Sequence, residues 1–356
     1  MTVTGIDGGV GVEELSELAL LHALAQGIDE EAARELLARV RRPWGGSPDA
    51  WGPVWTEAGD RLAGRGRPLD ACRHYAVARF PYPGDEARRV AQRRCVESFD
   101  RWRQAQPTRI DRLTVTLDGE RFVAWTAGLD PVRPRPLLLV LGGIVSLKEQ
   151  WAPLLTQADA LGVALAVTEL PGVGENTLRY DPAAPRMLSA LLDALLGLAD
   201  VRRVAAVALS FGGHLALRCA LDDSRIASVA TVGAPVRRFF TDAHWWTTLP
   251  ATTRACLAHT LRTPVAGLQE SLRDWALTDE ELARLAVQGV PVHYVTSLRD
   301  EIMPPGEAAL LRLAGVPGTD RAFDDVHGAP DHLDETRLHL IGGALATFRA
   351  GPGAGG

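Results

Sequence analysis

Of the 38 Lys and Arg residues only Lys148 is lysine, a scarcity that fits a GC-rich coding bias better than a functional choice. Cysteine is also sparse. Cys72, Cys95, Cys219 and Cys256 are scattered with no Cys-x-x-Cys pair. That disfavours a zinc site or a disulfide framework and suits a reducing, cytoplasmic setting. No apolar run is long enough to span a bilayer, and the first residues lack the basic start and apolar core of a secretory signal. No membrane partner is therefore expected. A net charge of −6 argues against a nucleic-acid-binding surface. The phosphate-loop pattern Gly-x-x-x-x-Gly-Lys does not occur, and the pair Gly172 and Gly174 is not a dinucleotide fingerprint. No His/Cys cluster has metal-ligand spacing. Neither a cofactor nor a metal is expected.

What the chain does have is apolar bulk. With 46% hydrophobic residues in 356 and a mean hydropathy near zero, it reads as a soluble globular protein of one long or two ordinary domains. Its most informative stretch runs from Val204 to Leu221. An apolar, partly β-branched strand ends at Ser210, followed by Phe211, Gly212 and Gly213 and at once by a helical pattern. Strand, serine, small residues, helix is the order of a nucleophile elbow, whose tight turn demands small neighbours where strand and helix backbones approach. Ala208 and Gly212 flank the serine at two residues' distance; alanine replaces the usual first glycine of Gly-x-Ser-x-Gly.

Around this stretch the chain divides into an N-terminal helical domain over residues 1–106 and a second domain over 107–350, with a tail over 351–356 expected to be disordered. In the first, Glu13 to Gln26, a segment opened by Asp29, a helix sharing Trp51 and Trp55 on one face, Leu69 to Arg79, and Asp85 to Gln104 form helical hairpins. In the second, strands over Arg112–Leu117 and Arg121–Thr126 flank an Asp118-Gly119 hairpin turn. Strands over Leu137–Leu141, Val163–Thr168, Val204–Leu209, Ile226–Val232 and Val290–Val295 alternate with helices, including one over Ser146–Leu161. A helical cap insertion occupies about 237–288, and it and the N-terminal domain are expected to roof an apolar cleft. The fold expected is α/β: a mostly parallel central sheet with helices on both faces.

A serine hydroxyl needs a base, and the base an orienting acid. In this architecture they follow in the order serine, acid, histidine. Asp300 lies just past a late strand and is the expected acid; Glu301 beside it is expected to turn outward. His327, directly before the closing helix, is the expected base. His332 is its competitor, read as a surface or capping residue, while His214 is expected to pack against the sheet. The developing oxyanion needs two amide donors. They are assigned to Phe211 and, in the loop after Leu141, to Ile144, with Val145 next. Gly143, Val145, Phe240, Trp245 and Trp246 are expected to contact a small-molecule substrate; a homodimer is left open.

These residues resemble the α/β-hydrolase superfamily. More narrowly they resemble its branch of fermentation-respiration switch protein-like and 2,6-dihydropseudooxynicotine hydrolase-like enzymes. That branch carries a helical N-terminal pattern like Trp51, Trp55, Ala58, Gly64, Ala71, Tyr75 and Ala78. Its Gly-Gly-x-Asp-Ser-x-Lys-Glu segment is matched by Gly142, Gly143, Ser146, Lys148 and Glu149, and its Pro-Gly-x-Gly loop by Pro171, Gly172 and Gly174. Val145 stands where the branch has aspartate, which implies a drier pocket. The resemblance implies ester hydrolysis, C–C bond cleavage in polyketide-like substrates, or, as in tetronate tailoring, elimination of acetate from an O-acetyl intermediate. The expectation is a serine-type enzyme acting on an acyl ester of an apolar, polyketide-like molecule. Elimination and C–C hydrolysis are alternatives on the same scaffold, and a non-catalytic partner-binding protein is the alternative of another class.

Overall fold

The computed structural model describes residues 10–349; the tail over 351–356, expected to be disordered, lies outside the described residues. Five helices come first: α1 (Val12–Ala25), α2 (Glu30–Arg39), α3 (Trp51–Gly64), α4 (Pro68–Arg79) and α5 (Glu86–Gln104). The carboxylates of Asp29 and Asp85 cap α2 and α5 by accepting the amides of Ala32 and Arg88. Trp51 and Trp55 sit one turn apart on the buried face of α3, ring centroids 6.2 Å apart.

Strands β1 (Ile110–Leu117) and β2 (Glu120–Ala127) form an antiparallel hairpin. Its turn residues Asp118 and Gly119 both take positive φ, 51° and 82°, as a two-residue turn matched to strand twist requires. There follow β3 (Pro136–Leu141), α6 (Lys148–Trp151), a 3₁₀ turn over Ala152–Gln157, α7 (Ala158–Leu161), β4 (Ala164–Thr168), α8 (Arg186–Ala194), β5 (Asp200–Ala208), α9 (Phe211–Asp222) and β6 (Ile226–Val232). The single helix expected over Ser146–Leu161 is broken into three pieces. Pro153 has no N–H to give the carbonyl four residues back, so the chain passes through 3₁₀ geometry there.

Between β6 and β7 lie α10 (Arg238–Thr241), α11 (Ala243–Thr248), α12 (Ala251–Leu261), α13 (Leu268–Leu272) and α14 (Asp279–Gln288). The chain closes with β7 (Val292–Ser297), α15 (Glu307–Leu313), β8 (Gly318–Phe323) and α16 (Leu333–Arg349). The eight strands form one sheet in the order β1-β2-β4-β3-β5-β6-β7-β8. The β1–β2 and β2–β4 pairings are antiparallel and all others parallel. The expected α/β fold with a mostly parallel sheet is the one found.

Leu137–Leu141 and all of β4 are buried, which is why these strands read as unbroken apolar runs; helices cover both faces. Each fully buried leucine or valine contributes about 1.5–3 kcal/mol. The parallel arrangement brings the carboxyl ends of β3, β5 and β7, and the loop after β8, to one edge of the sheet, where open α/β sheets place their sites. No helix among the described residues is long and apolar enough to cross a membrane.

Candidate active site

Ser210 occupies the turn between β5 and α9 with φ 53° and ψ −126°, a conformation that costs a non-glycine residue of order 1–3 kcal/mol. Close packing imposes it. A side chain on Gly213 would lie 2.2 Å from Thr231 Oγ1 and 2.7 Å from Ala234 Cβ, so the start of α9 admits only glycine there. The turn lifts the hydroxyl out of the sheet edge toward the last loop. There His327 Nε2 lies 3.2 Å from Ser210 Oγ. His327 Nδ1 lies 3.0 and 2.9 Å from the two oxygens of Asp300. Asp300 is itself fixed, its Oδ1 accepting the amides of Ile302 at 2.9 Å and Met303 at 2.7 Å. The structure thus brings Ser210, Asp300 and His327 into one hydrogen-bonded chain.

Burial works against a charged His327, but the Asp300 carboxylate, its hydrogen bond and the charge of Glu301 outweigh it and hold the imidazole pKa above 6.5. Glu301 does not turn outward as expected. Its Oε2 accepts the His327 amide at 3.0 Å, because the loop after β7 runs beside the loop after β8 and the free amide needs an acceptor. A second unforeseen neighbour is Gly233. A side chain there would meet His327 Cε1 at 2.7 Å, and φ is 58°. Its position at the end of β6 was the available signal.

His332 is engaged elsewhere. Its Nδ1 contacts Asp325 Oδ2 at 2.9 Å and its ring stacks on Phe323 at 4.5 Å. His214 lies on the buried face of α9, Nδ1 3.1 Å from the Pro235 carbonyl, and burial pulls its pKa down to about 3.

The loop after β3 is held by its carbonyls. Those of Gly143, Ile144 and Val145 accept, respectively, the Ser146 amide at 3.1 Å, the Cys256 thiol at 3.5 Å and the Arg79 guanidinium at 2.9 Å. Arg79 is a fully buried residue of α4, so a helix distant in sequence fixes this loop. The amides of Phe211 and Ile144 donate to no backbone acceptor among the described residues. Lys148, the lone lysine, anchors the loop's far end. Its buried ammonium meets Glu149 at 2.9 Å, Glu169 at 2.9 Å and Glu175 at 2.8 Å. Burial opposes that charge, and the three carboxylates outweigh it and keep it protonated.

A cavity of about 170 Å³ opens over Ser210. Gly143, Ile144, Val145, Phe211 and His327 border it, with Leu18, Leu21 and His22 of α1 and Thr252 and Thr253 of α12. Phe240, Trp245 and Trp246, expected to line the cleft, do not border it. Phe240 and Trp246 are spent in the aromatic cluster beside Phe211, and Trp245 on the loop after β7. Phe239 and Phe240 stand edge-on to the Phe211 ring at 5.2 and 6.3 Å, Trp246 donates its indole N–H to the Phe239 carbonyl, and Trp245 donates to the Ile302 carbonyl at 2.8 Å. The N-terminal helices do help roof the cleft as expected, through α1, but its lining residues were not legible, because its apolar stripe looks like any core-facing stripe. Among the described residues no group of three or more His, Cys, Asp or Glu side chains is placed to hold a metal ion.

The solved structure titled AbyA5 Wildtype is 44% identical and superposes with a TM-score of 0.91 over 96% of this chain and 95% of that one. The α/β hydrolase ucsC of Acremonium sp is 26% identical over 251 residues, 62% of this chain and 50% of that protein. The 2,6-dihydropseudooxynicotine hydrolase of Paenarthrobacter nicotinovorans is 27% identical over 167 residues, 46% of this chain and 44% of that protein. The chain spans about half the length of these curated relatives. Residues 53–313 match the FrsA-like esterase family, most of the helical segment and nearly all of the sheet included. The chain belongs to the FrsA-like esterase family and has the α/β-hydrolase fold.

Proposed function

We propose that the protein cleaves an acyl ester, such as an O-acetyl ester, of an apolar, polyketide-like small molecule by serine chemistry. The observation that carries this reading is the chain of contacts Ser210 Oγ, His327 Nε2, His327 Nδ1, Asp300. His327 takes the Ser210 proton as the oxygen attacks the acyl carbonyl. The amides of Phe211 and Ile144 hold the oxyanion, a role supported by their having no backbone acceptor of their own. Protonated His327 then gives its proton to the departing alkoxide, leaving an acyl-serine. Water, deprotonated by the same imidazole, releases the acid. Asp300 keeps the imidazole oriented and balances its charge. Gly143 and Val145 border the space for the acyl group. Turnover of a panel of aryl and alkyl acetates tests this: the wild-type protein cleaves some of them and Ser210→Ala none. A panel cleaved equally by both proteins overturns it.

The mostly apolar cavity favours a second reading, acetate elimination, because that reaction needs no water at the acyl carbon. His327 would remove a proton from the carbon next to that bearing the acetoxy group. The C–H electron pair becomes the second bond of a C=C, the C–O bond breaks, and acetate leaves with the C–O electron pair. Turnover in ¹⁸O-labelled water separates the two. Hydrolysis places one label in the released acid; elimination places none.

A further inference from the structure

The cavity over Ser210 has a second polar pole that the chemistry above does not use. Residues Leu18, Leu21, His22 and Ala25 recur at helical spacing, so one face of α1 forms a wall of the cavity. The same face carries Glu14, whose carboxylate accepts the amides of Ala251 at 3.2 Å and Thr252 at 2.6 Å and ties α1 to the start of α12. In that wall His22 packs its ring against Phe80, centroids 4.9 Å apart. Its carbonyl accepts a bond from Gln26, but no hydrogen bond engages either ring nitrogen among the described residues. Across from α1, Thr252 is 1% exposed and borders the same cavity. Its hydroxyl has no hydrogen-bond partner. Leaving a buried hydroxyl unpaired costs stability, and a substrate oxygen that reached this wall would give the Thr252 hydroxyl a partner.

We propose that His22, together with the Thr252 hydroxyl, is a specificity-determining pair that hydrogen-bonds a second, uncharged oxygen of the substrate, a carbonyl or hydroxyl separate from the acyl group at Ser210. The proposal rests on the acyl-ester reading and adds the substrate's second recognition point. A neutral imidazole offers one donor and one acceptor, and a threonine hydroxyl offers both, so the pair suits an oxygen of either kind. Burial, and then the positive charge of His327 and Arg79, pull the His22 pKa down to about 4. It therefore stays neutral where His327 works, and it recognises its oxygen by hydrogen bonding rather than by pairing with a carboxylate.

The test compares two acetates of matched size, 4-acetylphenyl acetate with the extra carbonyl and 4-isopropylphenyl acetate without it. His22→Phe and Thr252→Val lower kcat/KM for the keto ester about tenfold or more relative to the isopropyl ester, mainly through KM. His22→Gln, which keeps a donor and an acceptor, restores most of the preference. Equal losses on both esters, or no loss on either, overturn the proposal, since a wall residue acts on both alike. Binding of 4-hydroxyacetophenone, measured by calorimetry, separates this contact from the chemistry at Ser210. If neither ester is turned over but His22→Phe still abolishes that binding, the ester reading fails and the contact stands. If binding is indifferent to His22, the contact fails whatever the ester result.

Discussion

Glu301 Oε2 accepts the backbone N–H of His327 at 3.0 Å, so the residue beside Asp300 holds the His327 backbone while Asp300 holds its imidazole. The two carboxylates are separable by substitution. Glu301→Gln keeps an acceptor for the amide and removes a charge that raises the His327 pKa. The acid limb of kcat/KM moves to lower pH. Glu301→Ala frees the loop and lowers kcat by about tenfold or more, since a small misplacement of the base is costly. Full pH–rate profiles of both variants check this.

Asp300→Asn has the larger effect. The imidazole must be neutral to accept the Ser210 proton, so kcat/KM in the wild-type protein rises with pH through a limb above 6.5. Asparagine removes the principal cause that raises the pKa and leaves burial, which lowers it. The limb falls below that of the wild type and the plateau drops by about 10³–10⁴-fold. The same shift bears on stability. Protonated His327 gains Asp300 only when folded, so this contribution is full below the unfolded pKa and fades as pH rises through the raised folded value. Thermal melts of both proteins across that window show a difference that shrinks with rising pH.

Gly233→Ala places a methyl group 2.7 Å from His327 Cε1 at a residue with φ 58°. The imidazole must move. Activity falls on the order of 10²-fold while the far-ultraviolet circular dichroism stays that of the folded protein. An alanine variant with full activity shows that the imidazole has room there.

Lys148→Met leaves Glu149, Glu169 and Glu175 without their shared cation in a buried site. Stripping one partner from a buried ion cluster costs about 3–5 kcal/mol. Denaturant unfolding measures the loss, and Glu169→Gln in the same chain recovers part of it by removing an unpaired charge.

The elbow was legible because its determinants are local. A strand, a serine and small residues within ten positions specify the turn, and Gly213 has no room for a side chain. Asp300 and His327 were legible because strand ends fix where loop side chains emerge. Which residues of the N-terminal helices and the insertion make the cavity wall was not. Glu14 meets Thr252 across 238 residues of chain, and no pattern in α1 distinguishes a stripe that faces a cavity from one that faces a core. Lys148 looked like a trace of codon usage because two of its three partners, Glu169 and Glu175, come from another loop. The aromatic residues Phe240, Trp245 and Trp246 misled for a related reason: an aromatic ring in a helical insertion packs equally well inward, and here Phe240 packs on Phe211, Trp246 on Phe239, and Trp245 holds the Ile302 carbonyl.

The most direct measurement is the intact mass of the wild-type protein after incubation with a fluorophosphonate, followed by peptide mapping. The account predicts one adduct per chain, on Ser210, formed at a rate that rises with pH as His327 loses its proton. No adduct at high probe concentration, or an adduct on a different residue with Ser210 unmodified, contradicts it.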